Sequence, residues 1–297
     1  MHKISIPFLL VSLAFIVCLY SCVSHRKVAT AKKDLKSVDS VLVQQQKTLD
    51  NLDELRRIKQ EENEMDDTSS SRINKYISKT RTEIGKMHED NTILFGETTI
   101  ERADWLRLLK TLAFARNSSK SIGDKILFLT DLINQNTVVK IDQDVLFEPG
   151  SYIVSVAMAS AISRLFEPAA VEIDRFTQKY PEFPLSLVIT AKGYADATTI
   201  AEGSTLYREL KEKMKLSGTE PDNKALNKEL SNARAQEVIN LFKKFAASRA
   251  GNKSYLRNVL YLHEAKGEIL PNPKITDYKV DDARRRVVYL FWSVFPE

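Results

Sequence analysis

From residue 28 to 66 the chain contains no glycine or proline, and its apolar positions recur at a helical period. Leu35, Val38, Leu42, Gln45, Leu49 and Leu52 are spaced alternately by three and four, the seam of a coiled coil. Leu55 and Ile58 break that register, so the segment reads either as a short coiled-coil stalk or as one amphipathic helix packing on its own chain. The run Asp66-Asp67-Thr68-Ser69-Ser70-Ser71 is rich in helix-capping residues and predicts a break. Beyond it, helical stripes run through Ile73, Ile77, Ile84 and Met87, and later through Ile122, Ile126, Leu129 and Ile133. Between them, Thr98 and Glu101 stand at capping-box spacing ahead of Trp105, Leu108, Leu109 and Leu112. Such stripes read as core.

The pattern changes at Val138. VVKIDQDVLF (138–147), LSLVITAKG (185–193), NVLYLHEA (258–265) and RRVVYLFWSV (285–294) predict strands. The stretch from Leu165 to Gln178 and the sequence ALNKELSNARAQEVINLFKKF (225–245) predict helices. The order β-α-β-α-β-β predicts an α+β fold with helices on one sheet. The expected organisation is a leader at 1–22, a helical stalk at 23–66, a helical region at 67–137 and the α+β domain at 138–297.

The leader has a short basic start, His2 and Lys3, then 16 apolar residues among the 20 from Ile4 to Val23, then His25, Arg26 and Lys27. It suits a signal peptide or an uncleaved membrane helix. Leu19-Tyr20-Ser21-Cys22 resembles the lipobox of bacterial lipoproteins, which implies lipidation at Cys22 and a membrane held by acyl chains. Tyr20 departs from that pattern, which places a small residue there. Both cysteines, Cys18 and Cys22, fall in this segment, so no disulfide can staple the fold downstream.

Composition removes several function classes. With 44 basic and 39 acidic residues interspersed, the net charge of +5 is no nucleic-acid footprint. The four histidines are scattered, leaving little material for a metal site. No HExxH pair, G-x-S-x-G elbow or cysteine nucleophile occurs, so a binding protein without catalytic residues or cofactors is expected instead of an enzyme.

Four features of the second half occur in one order. Phe147 closes the first strand candidate. Gly193-Tyr194-Ala195-Asp196 ends the second. Asn227, Leu230, Ser231, Arg234, Ala235 and Val238 follow the pattern N-x-x-L-S-x-x-R-A-x-x-V, and Gly267-Glu268 with Pro271 precedes Arg285-Arg286-Val287. This set resembles the OmpA-like peptidoglycan-binding domain of outer-membrane porins, lipoproteins and flagellar stator subunits. Ala195 replaces the family's threonine, and Arg284 stands where the family has Asn or Asp. Thirty residues separate Asp196 from Asn227, against fewer than about ten in the family, and a second insertion falls near 148–162.

The resemblance implies a ligand, the peptidoglycan stem peptide, whose diaminopimelate carries an ammonium and a carboxylate on one side-chain carbon. It assigns the ammonium to Asp196 and the carboxylate to Arg234, whose planar fork suits a carboxylate. Asn227 and Ser231 share the helix face of Arg234 and join the candidate site, as does Arg284. Arg284, Arg285 and Arg286 read equally well as a solvated edge-strand cluster. The expected protein is a lipoprotein on the periplasmic face of a Gram-negative outer membrane, tethering that membrane or an envelope complex to the wall. The alternative is the anchoring subunit of a secretion, motility or transport complex held by an uncleaved membrane helix. A stator role is disfavoured because residues 4–23 hold no Asp or Glu to carry an ion. The helical region is the expected surface for a second copy or an envelope partner. The 198–222 segment is expected to be a dispensable surface loop.

Overall fold

Three long helices carry the N-terminal stripes: α1 (His25–Glu61), α2 (Asp67–Gly96) and α3 (Arg102–Asn134). They belong to a computed structural model that describes residues 25–96, 102–135, 138–142, 147, 150–181, 183, 185–215, 220–249 and 259–296. The leader, Cys18 and the lipidation candidate Cys22 lie outside the described residues, as do Thr98 and Glu101. Among the described residues no helix is long and apolar enough to cross a membrane.

The seam of α1 is used within the chain. Leu35, Leu42 and Leu49 are fully buried, as are Ile73 and Ile77 of α2 and Leu108, Leu129 and Ile133 of α3. Asp39 pairs with His88 of α2 at 2.7 Å, and Asp34 with Arg116 of α3 at 2.8 Å. The one polar seam position, Gln45, donates to the Ser119 carbonyl of α3 at 2.9 Å. Of the two readings of the seam, the amphipathic helix packing on its own chain is the one observed.

The chain divides into two compact units, residues 1–53 with 74–130 and residues 54–73 with 131–297. The turn between α1 and α2 belongs with the sheet.

In the second unit β1 (Val138–Asp142), α4 (Val156–Lys179), β2 (Leu185–Tyr194), α5 (Thr205–Lys213), α6 (Asn223–Arg249), β3 (Val259–Gly267) and β4 (Val287–Pro296) follow in order. The fold is α+β, with six helices and one mixed four-stranded sheet among the described residues. The strands lie in the order β1-β4-β2-β3, with β4 antiparallel to both neighbours and β2 parallel to β3. One short helix, α5, is added to the expected series. Because β4 is interior, the arginines before it are not an edge-strand cluster. Arg285 ends a 3-10 turn, Ala283–Arg285, ahead of the strand.

Alternation along β2 and β4 gives the sheet two faces. Leu187, Ile189 and Ala191 of β2 and Val288, Leu290, Trp292 and Val294 of β4 form the face under the helices, all of them buried. Gly193 sits on it where α6 crosses so closely that an added Cβ would lie 2.0 Å from the Ser231 carbonyl oxygen.

The other face carries Val188, Thr190 and Lys192 beside Phe291, Ser293 and Phe295, and the α1–α2 turn packs on it. Asp66 caps α2 by accepting from the Thr68 and Ser69 amides at 3.0 and 3.1 Å, and also takes the Thr190 hydroxyl at 3.3 Å. The Ser69 and Ser293 hydroxyls meet at 2.8 Å. Lys192, only 2% exposed, reaches Asp67 at 3.3 Å and lies over the Phe291 ring. Polar residues on a buried sheet face are costly unless paired, and the turn supplies the partners.

This junction is pH-sensitive. Burial raises the Asp67 carboxyl, but the charge of Lys192, the Gln60 amide and the charge of Lys266 outweigh it and hold Asp67 below the ordinary carboxylate range. A carboxyl whose folded pKa is depressed stabilises above its unfolded value, about 4, and that stability is lost as pH falls through the folded value. Acidification below about pH 4 is expected to loosen the turn by about 1 kcal/mol, a modest figure because Asp67 is half exposed. Amide exchange over residues 66–72 measures it, and Asp67→Asn should remove most of the pH dependence in that range.

Candidate ligand-binding site

Beyond the end of β2 the chain leaves the sheet at Ala195, whose amide donates to the Gly267 carbonyl at 2.7 Å. Asp196 follows, 7% exposed, at one wall of a cavity of about 580 Å³. Its Oδ1 accepts from the Thr198 amide at 3.2 Å and its Oδ2 from Nη1 of Arg286 at 2.8 Å. Each carboxylate oxygen has a second lone pair, so these bonds do not exhaust its capacity to accept.

Arg234 enters the same cavity from α6, also 7% exposed. Its Nε and Nη2 donate to the Ser151 carbonyl at 3.1 and 3.0 Å, and its guanidinium lies 5.3 Å from the centre of the Phe147 ring. The fork is thus fixed in plane. Ser151 comes from the 148–162 insertion, which makes that insertion part of the site.

Asn227 lines the cavity as well, two helical turns before Arg234. Its amide donates to the Thr198 carbonyl at 3.2 Å and to Glu268 at 2.9 Å, bracing the loop after Asp196 against the Gly267-Glu268 turn. The structure therefore brings Asp196, Arg234 and Asn227 together.

Ser231 and Arg284 are placed elsewhere. The Ser231 hydroxyl donates to the Lys228 carbonyl at 2.7 Å and accepts from the Gly267 amide at 3.0 Å, a strut between α6 and the end of β3. Arg284 is exposed and pairs with Asp282 at 2.6 Å and Asp277 at 3.2 Å. These bonds hold Asp282 well below the usual carboxylate range and Arg284 above its own. Neither residue lines the cavity.

Of the three consecutive arginines, Arg286 is the one that lines the cavity. The β2–β4 register pairs Gly193 with Val288, so extending it two residues sets Arg286 opposite Ala195 and beside Asp196. Arg285 is turned inward, its Nη2 donating to the Glu268 carbonyl at 2.7 Å. Three adjacent arginines thus have three different partners, and only the pairing register separates them.

Where it is described, at 198–215 and 220–222, the 198–222 segment carries a short helix and packs on its own chain. Ser204 caps α5 through the Tyr207 amide at 3.1 Å, and Tyr207, Leu210, Leu226 and Leu230 form a small apolar core. Tyr207 donates its hydroxyl to Glu220, which pushes the phenol up to about 12. Asn223 accepts from the Ile200 amide at 2.8 Å and fixes the start of the segment. Thr198, Thr199, Ile200, Ala201, Ser204 and Leu206 line the cavity, so the segment supplies one of its walls.

Among the described residues, two cations, Arg234 and Arg286, and one anion, Asp196, face this space. Such a set attracts a carboxylate and, through Asp196, tolerates a cationic group on the same ligand. Among the described residues no group of three His, Cys, Asp or Glu side chains gathers to hold a metal. No protein-family model, curated protein or solved structure matches the chain.

Proposed function

We propose that the chain is an outer-membrane lipoprotein, lipidated at Cys22, whose OmpA-like second unit binds peptidoglycan without covalent linkage and tethers the membrane or an envelope complex to the wall. The observation that carries the reading is the convergence of Asp196 and Arg234 on one cavity, as the resemblance requires. The ligand is the zwitterionic end of diaminopimelate in a stem peptide. Its carboxylate is taken between Arg234 and Arg286, and its ammonium is accepted by Asp196. A ligand carboxylate competes for the Arg234 fork with the neutral Ser151 carbonyl, and charge–charge attraction favours the carboxylate. Asn227 holds the loop that presents Asp196. The face formed by Ile200, Ala201 and Leu206 covers the uncharged part of the peptide, and no proton or electron moves.

The full chain in detergent is expected to pellet with purified sacculi and to be released by soluble stem peptide. A chain left wholly in the supernatant overturns the reading.

A further inference from the structure

In the first unit α1 begins and α3 begins at the same end, and a groove of about 530 Å³ runs between them. Arg26, Lys27 and Asp34 of α1 and Trp105, Leu109 and Arg116 of α3 line it. Asp34 is neutralised by Arg116 at 2.8 Å, so the α1 side of this end takes its charge from Arg26 and Lys27, both exposed, while Asp104 stands in the first turn of α3. Arg107 and Lys110, exposed on the next faces of α3, add to the positive charge.

In the second turn of α3, Leu106 and Leu109 are 56% and 40% exposed; Phe114, 62% exposed, lies further along the helix on another face, and Leu127, 53% exposed, lies towards its far end. A soluble helix face gains nothing from two large exposed apolar side chains beside a tryptophan. Tryptophan flanked by aliphatic side chains and basic groups is instead the composition found at the boundary between headgroups and acyl chains. The chain supplies the remaining argument, since Arg26 stands three residues after Val23, the last residue of the apolar run from Ile4.

We infer that this end of the helical unit is a membrane-surface contact: Trp105, Leu106 and Leu109 enter the headgroup layer while Arg26, Lys27 and Lys110 hold anionic lipid phosphates. The contact fixes the first unit against the bilayer in addition to the N-terminal attachment. It is independent of wall binding.

The two tryptophans of the chain make the test direct, because Trp292 is 1% exposed inside the sheet. The full chain is reconstituted in phosphatidylcholine vesicles containing a minority of phosphatidylglycerol, with bromine on the acyl chains either near the headgroup or near the bilayer centre. The emission of wild type minus that of Trp105→Phe isolates Trp105. It is expected to lose roughly half its intensity to shallow bromine and much less to deep bromine, and Arg26→Glu with Lys27→Glu should restore most of it. A Trp105 component untouched by either bromine overturns the contact. So does one shielded from aqueous iodide but not quenched by lipid, which would mean a second copy covers the groove. Equal quenching of the charge-reversed chain overturns the part assigned to anionic phosphates.

Discussion

Replacing Gly193 by alanine is expected to unfold the second unit. The new methyl would stand 2.0 Å from the carbonyl oxygen of Ser231, 2.9 Å from its carbonyl carbon and 3.2 Å from the Ala235 Cβ. Two of those three atoms are helix backbone, which cannot rotate aside as a side chain can. Helix α6 would have to lift off β2, and with it would go the Ser231 strut to Gly267 and the Asn227 brace. Overpacking a buried contact usually costs about 1–3 kcal/mol, and a backbone collision belongs at or above the top of that range. The expected result is loss of near-ultraviolet circular dichroism and of soluble yield. Gly85→Ala is the control: nothing lies within 4 Å of its added methyl, and a helix interior gains up to about 1 kcal/mol from the change. Equal stability of both variants would show that the α6–β2 crossing is looser than its geometry.

The second large effect is on binding. Asp196→Asn keeps an oxygen for the Thr198 amide but removes the anion, and Arg234→Ala removes the fork. Truncating one partner of a desolvated charged contact costs about 2–5 kcal/mol, roughly 30-fold or more in affinity. Since both residues hold one ligand group, the double variant should bind scarcely worse than either single one. Arg284→Ala, whose partners Asp277 and Asp282 lie outside the cavity, should change binding by less than about 0.5 kcal/mol. Sedimentation with sacculi reads all four, with circular dichroism confirming that each is folded. Near-wild-type binding by both single variants would remove Asp196 and Arg234 from the site.

Much of this arrangement is legible in the sequence because local spacing encodes it. Asn227 and Arg234 fall on one helix face at any register, and a glycine at the end of a strand already signals close approach of another backbone. The α+β order follows from where periodicity changes at Val138. What the sequence hides is set by long-range pairing. Arg284, Arg285 and Arg286 are chemically identical, and only the 3-10 turn and the β4 register decide that Arg286 meets Asp196. The six cavity residues between 198 and 206 read as an insertion because Leu226 and Leu230, in the core against which Ile200 and Leu206 pack, lie on the following helix. The capping signal at Asp66 is visible, but its second task, satisfying Thr190 across 124 positions, is not. For that reason a fragment beginning at 138 would lack the polar partners of Thr190, Lys192 and Ser293, and the binding measurements require the full chain.

The central claim is that one cavity reads opposite charges on a single carbon. Titration of the full chain in detergent with two soluble stem tripeptides, identical except for diaminopimelate or lysine at the third position, tests it most directly. Lysine keeps the ammonium and lacks the carboxylate. The diaminopimelate peptide is expected to bind at least about tenfold more tightly, roughly 1.4 kcal/mol, and Arg234→Ala should bring the two affinities together. Equal affinity for the two peptides in the unaltered chain, or preference for lysine, would contradict the account.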